Sequence, residues 1–477
     1  MQFLQLPFPT LESFSLTGSD RKMSRQTRNP SSLPLSGTNA SRLRYLSLGL
    51  TTLLPLESGF PRLTHLSLSR ITAPNLHSRI TDLLRDCPLL TSLVLRKLQC
   101  STRIATLDFW RPMAPPDPLP LRSGSTESRG LARVILADMD PNLVEYYAAL
   151  FSHHRPCLQI PISERDPFAS REREVFGALY RQYSHGAEDT DVSRLCVTTH
   201  AVDHSHTSDD SSRATRGFSV TLANSTNLLR VAVWPKLLER DPYGRRNWRT
   251  DVLAPLRALS GVREVWFENV DMIMDCKGLA DASATVSLWN LSESDPTQLG
   301  VDGARGGLAQ ALPALANVVI VHNCSSRLRV AGPIQPSIAV LPKRPRAAGP
   351  SLEHLRLAIG YDTDDLPRLH GFWRSPLAAA DSSAEPRLSQ GKVDFTTNLL
   401  SALTSDRNEY AYVKHARLVV QVMPHLVLDA EELERLRGFF AAVDVEKIDR
   451  LPTMPVPERV RDEMLDLRGF IPGSVLC

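Results

Sequence analysis

Four segments near the N-terminus share one spacing of apolar residues: Leu11-Phe14-Leu16, Leu43-Leu46-Leu48, Leu63-Leu66-Leu68 and Leu90-Leu93-Leu95. The last two positions are two apart, so they lie on one face of an extended strand. The first, three residues earlier, marks where the chain enters that strand. The residues between are small or polar, as in "LRYLSL", "LTHLSL" and "LTSLVL". A strand of this kind has one apolar edge to bury and little else. It is stabilised when successive copies stack side by side and pool those edges into one core. The segments start 32, 20 and 27 residues apart, against a usual repeat period of about 20–29. The wide first interval holds a polar insertion, Thr17 to Ser41, rich in Ser, Arg and Asn.

Between the third and fourth segments, Leu76, Ile80, Leu83 and Leu84 recur at helical spacing, and Pro88 stops the helix. Strand, helix, Cys-Pro and strand make one complete unit. The pattern continues more loosely at Leu131-Val134-Leu136, Leu228-Val231-Val233, Val262-Val265-Phe267, Leu315-Val318-Ile320 and Leu352-Leu355-Leu357, with a weak last copy at Val413-Ala416-Leu418. The intervals between them are rich in turn formers and polar residues. Segments 111–130, 185–217, 292–307, 342–350 and 378–391 bury too little apolar surface to offset ordering entropy and read as loops or disorder. Near the end, Asp429 and Glu432 form a capping box ahead of Leu433, Leu436, Phe439 and Phe440. The predicted fold is α/β: an irregular solenoid with long loop insertions and a C-terminal capping helix. Well-formed repeats occupy 1–110, a proline-rich loop 111–130, degenerate repeats 131–425 and the cap 426–477.

Of the 70 leucines in the chain, 24 fall in the first hundred of its 477 residues. The net charge of +3 gives no electrostatic drive toward nucleic acid or anionic lipid. No apolar window is long enough to cross a membrane. The seven cysteines are scattered and never spaced C-x-x-C, which argues against a disulfide framework or a zinc ribbon. A cytoplasmic or nuclear location is expected.

No segment carries a recognisable catalytic, cofactor or metal motif. His200, Asp203, His204 and His206 sit among Ser, Thr and Asp and read as a solvated loop free of metal. Asp362 and Asp364 follow an apolar strand and superficially resemble a magnesium-dependent hydrolase or phosphotransfer site, the enzymatic alternative. Turn-forming Asp is the simpler account. The glycine-rich stretch 302–310 lacks the phosphate-loop pattern. The better functional candidates are the residues between the leucines, which face the open side of the strands: Tyr45, His65, Arg96, Arg230, Trp234, Glu264, Trp266, His354 and Arg356. Trp, Tyr and Arg are the residue types enriched at binding hot spots.

The segment "FPRLTHLSLSRI…DLLRDCPLLTSLVLRKL", above all Cys87 to Leu95, resembles the leucine-rich, ribonuclease-inhibitor-like region of fungal and plant F-box proteins. That resemblance implies a horseshoe that recognises a protein on its concave sheet, as the substrate selector of a ubiquitin ligase, without catalysis. A Skp-type adaptor is implied only where an F-box is supplied upstream of Met1 or by a partner. An orphan repeat domain without retained function is the third expectation.

Overall fold

The computed structural model describes residues 9–18, 40–50, 60–73, 76–100, 119, 131–152, 154, 156–162, 172–184, 193–201, 216–224, 227–233, 252, 255–256, 262–268, 285–289, 316–324, 333–336, 338, 341, 352–361, 391–406 and 409–455. The chain forms two compact units. One comprises Met1–Tyr183, Ala223–Val252 and Val456–Cys477, the other Ser184–Leu222 and Leu253–Pro455.

The first unit is built on strands β1 (Ser13–Thr17), β2 (Tyr45–Gly49), β3 (His65–Ser69), β5 (Ser92–Arg96), β7 (Arg133–Ala137), β8 (Cys157–Ile162) and β11 (Leu228–Val233), adjacent in that order. All six pairings are parallel. Phe14, Leu46, Leu66, Leu93, Val134 and Leu158 lie opposite one another in register, and Leu16, Leu48, Leu68, Leu95 and Leu136 form a second row. From Leu46 and Leu48 onward every member of both rows is at most 2% exposed. The alternate positions Tyr45, Ser47, His65, Ser67, Ser92 and Val94 are exposed or half-buried. The sequence spacing thus defines a parallel sheet with one buried and one open face. Two short strands, β4 (Thr72–Ala73) and β6 (Gln99–Cys100), pair in parallel beyond β3 and β5.

The connections repeat as closely as the strands. Before β2, β3 and β5 a buried anchor (Ala40, Phe60, Cys87) accepts a hydrogen bond from the amide three residues on, at Leu43, Leu63 and Leu90. Burial pushes the Cys87 thiol up to about 11. The carbonyls of Glu12, Arg44, Thr64 and Thr91 each accept two successive amides from the next strand's entry. After the strands, Leu50, Arg70, Lys97 and Asp138 all take positive φ, between 48° and 51°. Their amides donate to Ser69, Arg96, Ala137 and Pro161 carbonyls at 2.8–3.0 Å, carrying the ladder past the strand ends. Gly18 occupies the same position one strand earlier, where a side chain would collide with the Leu50 carbonyl.

Helix α1 (Leu76–Arg85) buries Leu76, Ile80, Thr81 and Leu84, the predicted face apart from Leu83. Helix α2 (Pro141–Leu150) is capped by the Asp140 carboxylate, which accepts from the Asn142 amide at 2.8 Å, with proline at its first position. The His77 Nδ1 lies 3.0 Å from the Tyr147 hydroxyl, and burial holds the imidazole below its ordinary pKa. Helix α3 (Glu172–Ser184) closes this part of the chain.

In the second unit, β9 (Ser193–Ala201), β12 (Val262–Glu268), β13 (Thr285–Trp289), β14 (Asn317–Asn323), β15 (His354–Gly360), β17 (Arg417–Val422) and β19 (Ala442–Lys447) are adjacent in that order, again parallel. Strand β10 (Arg216–Ala223) lies beside β9. A smaller parallel pair joins β16 (Gly391–Lys392) to β18 (Leu426–Val427). Leu195, Val265, Val318, Leu355 and Leu418 form the buried row, each at most 2% exposed.

Several expectations are corrected here. Residues 193–201, placed in a loop, form β9, because Leu195, Cys196 and Val197 give that strand a buried stretch. Arg216 and Gly217, at the end of that expected loop, open β10, and Gly391 at the end of the 378–391 segment opens β16. Leu119, inside the proline-rich segment, is 7% exposed and donates its amide to the Leu150 carbonyl. Strands are not stacked strictly in sequence order: β8 pairs with β11 in the first unit, while β9 lies in the second. The last weak repeat is shifted by two residues, with Leu418 opposite Leu355 and Val420 opposite Leu357, while Val413 lies in a 3-10 turn.

The region from 426 on, expected as a cap, contributes a helix and a sheet strand. Asp429 caps helix α5 (Ala430–Arg437; α4 is Ser401–Ser405) through the Glu431 amide at 2.9 Å, but Glu432 turns away, accepting from the Phe395 amide at 2.8 Å and the Thr396 hydroxyl at 3.0 Å. The chain then supplies β19 to the sheet.

A non-glycine residue at positive φ stores about 1–2 kcal/mol, and a β-branched one stores more. Lys97→Gly is expected to raise thermal stability by about 0.5–1 kcal/mol and Lys97→Val to lower it by at least as much. Calorimetry on both variants checks the shared turn.

Candidate functional site

The open sheet face of each unit is where side chains are presented without being consumed by the core. In the first unit β1, β2 and β3 place Ser15, Ser47 and Ser67 side by side, with Ser13, Tyr45 and His65 one row earlier and Thr17, Gly49 and Ser69 one row later. These small hydroxyl side chains form a row of hydrogen-bonding groups on the open face. At its entry edge Tyr45 is 48% exposed and stacks on His65, ring centroids 4.5 Å apart and planes 22° from parallel. The Thr64 hydroxyl donates to the Arg44 carbonyl at 3.1 Å and is hydrogen-bonded to His65 Nδ1 at 2.9 Å. The imidazole is therefore held in place beneath the phenol ring. Sequence reasoning named both residues but had no sign of the stack.

Further along this face exposure falls. Arg96 pairs with Asp138 at 3.5 Å, the aspartate itself fixed by the positive-φ turn. Ile135 and Gln159 are 1% exposed and Arg230 is half-buried, so only its edge is available.

On the second unit's open face, Arg194 donates from Nε to Glu264 at 3.0 Å, and Glu264 accepts from the Trp266 indole at 2.6 Å. Trp266 is 4% exposed, so the expected exposed anchor is a buried side chain whose one polar atom is satisfied. Glu264 likewise spends its carboxylate within the fold. His354 and Arg356, two apart on β15, are exposed as expected. Beside them Arg417 meets Asp444 at 2.6 Å, which raises the guanidinium pKa, and Gln421 donates to Glu446 at 2.8 Å. This face carries the ion pairs Arg194–Glu264 and Arg417–Asp444.

Trp234, Asp362, Asp364, His204, His206 and residues 302–310 lie outside the described residues, as do segments 292–307 and 342–350. His200 falls in β9. Among the described residues no three His, Cys, Asp or Glu side chains are grouped to hold a metal, and no helix is long and apolar enough to cross a membrane. A shallow hollow lined by Thr396, Thr397, Ser401, Thr404, Ser405 and Arg435 has its hydroxyls engaged: Thr397 donates to Asp394, Thr404 to Leu400 and Ser405 to Ser401. It is a poor donor set for an anion.

No family model matches the chain, and no curated protein or solved structure matches it significantly.

The two ends of the expected recognition set should separate by stability. Trp266→Ala is expected to cost about 3–5 kcal/mol, as for emptying a buried aromatic site. Arg356→Ala, at an exposed position, is expected to stay within about 0.5 kcal/mol. Chemical denaturation of both variants measures the difference.

Proposed function

We propose that the chain is a leucine-rich-repeat protein whose open sheet face recognises a partner protein, without catalysis. The solenoid reading is supported by the recurrence, at three or four successive units, of the same buried anchor, doubly accepting carbonyl, in-register leucine pair and positive-φ turn. Curved stacks of this kind present extended surfaces used for binding. The observation that carries the functional reading is the exposed Tyr45, pre-stacked on an anchored His65 beside a row of serines. An aromatic ring already immobilised loses little entropy on binding, and Tyr is enriched at hot spots. His354 and Arg356 supply a second, charged contact region. A Skp-type adaptor, and a role in selecting ubiquitin-ligase substrates, follow only where an F-box is present in the assembled protein.

Quantitative affinity purification should be run with the wild type, Tyr45→Ala, His65→Ala and Arg356→Ala. The expected result is one saturable protein partner whose recovery falls at least tenfold with Tyr45→Ala, while circular dichroism is unchanged. An unchanged partner profile across all three variants would place recognition elsewhere.

A further inference from the structure

The second unit's open face is not open throughout. Val321 on β14 and Ala358 on β15 point to the same side as Arg356, yet both are 0% exposed. Leu451, 7% exposed, packs on both, with Val319 and Ile448 at the margin. Leu451 belongs to the segment "IDRLPTMP", residues 448–455, which leaves the end of β19 and lies over the sheet. Asp449, Arg450 and Thr453 are exposed, while Leu451 and Met454 are buried. A three-residue step is the period of polyproline II, which Pro452 and Pro455 favour. Both buried side chains belong to one extended segment, and Leu451 is the one that packs on Val321 and Ala358. Gly360 makes the room: a Cβ there would stand 3.1 Å from Leu451 Cδ2 and 2.5 Å from Met423 Sδ.

This packing is apolar and side-chain-based. The Ile448 amide donates to the Val422 carbonyl at 3.0 Å. Among the described residues, 449–455 make no other main-chain hydrogen bond to the sheet. A segment held by a few apolar side chains with little backbone pairing is drawn from the low-stability end of a fold.

We propose that Val319, Val321, Ala358 and Gly360 form a docking groove for an extended, proline-containing protein segment with two apolar anchors three residues apart, and that residues 448–455 are its resident, displaceable occupant. The proposal rests on the open-face recognition reading and adds the ligand's chemistry. The chain's own segment supplies the template: apolar, Pro, variable, apolar, Pro. A partner carrying the same spacing binds by exchange, and its apparent affinity is reduced by the fraction of time the groove is filled.

The test uses the full chain and a fluorescein-labelled peptide of residues 446–457. Leu451→Asp with Met454→Asp releases the resident segment. Fluorescence anisotropy is expected to show the released variant binding the peptide at least tenfold more tightly than the wild type. A peptide with both anchors changed to Asp should not bind. A folded released variant, judged by circular dichroism, that binds no better than the wild type overturns the proposal. Hydrogen exchange on the wild type decides independently should that variant not fold. The amides of 449–451, 453 and 454 are expected to be at least 100-fold less protected than those of β15; equal protection overturns it. Because the probe is the chain's own sequence, failure here leaves the Tyr45 result untouched, and the converse also holds.

Discussion

The structure depends on stacking leucine on leucine across parallel strands. Leu46, Leu66 and Leu93 stand in register, as do Leu48, Leu68 and Leu95, and none is more than 2% exposed. A parallel ladder needs a long return path between strands, and that path must cover one face of the sheet. The leucines choose which face. The covered side becomes core, and the positions between the leucines are released from packing to carry serines, an aromatic stack and paired charges. Burial on one side and availability on the other are one constraint.

That constraint is enforced between the strands as much as within them. Strands β2, β3, β5 and β7 each begin where a carbonyl accepts two amides and are each followed by a residue at positive φ. Leu, Arg, Lys and Asp fill the last position in the first unit, and three of these four have no intrinsic preference for it. The stacked main-chain ladder repays the local strain. Asp138 shows how the same turn reaches the surface, since its carboxylate then meets Arg96.

The strand positions from Leu43 to Leu95, the helix over Leu76–Arg85 and the Asp429 cap were legible because each is a short-range signal: period two, period 3.6, a carboxylate before a helix. Helix α2 has a readable cap in Asp140-Pro141 that is independent of the leucine spacing. Strands β8, β9 and β19 were missed because they lack that spacing; β8 is buried almost throughout, and β19 is largely exposed at an edge. Neither has the alternation that a one-sided strand shows. The pairing of β8 with β11 is long-range and has no local trace. Within the candidate site, exposure of Tyr45, His354 and Arg356 followed from alternation, whereas the buried Trp266 donates its indole to Glu264, itself paired with Arg194 70 residues earlier in the chain.

Both open faces therefore combine a regular frame with local specialisation: a row of hydroxyls beside an aromatic stack in one unit, a charged surface with a covered apolar patch in the other. The claim beneath all of it is that adjacent leucines touch in register. A double-mutant cycle on Leu46→Ala and Leu66→Ala, compared with one on Leu46→Ala and Leu93→Ala, measures this most directly. Side chains in contact couple by about 0.5–3 kcal/mol, while sites beyond about 7–10 Å add within about 0.5 kcal/mol. The account predicts clear coupling for the neighbours Leu46 and Leu66 and near-additivity for Leu46 and Leu93, two strands apart. Additive Leu46 and Leu66, or stronger coupling of Leu46 to Leu93, would contradict it.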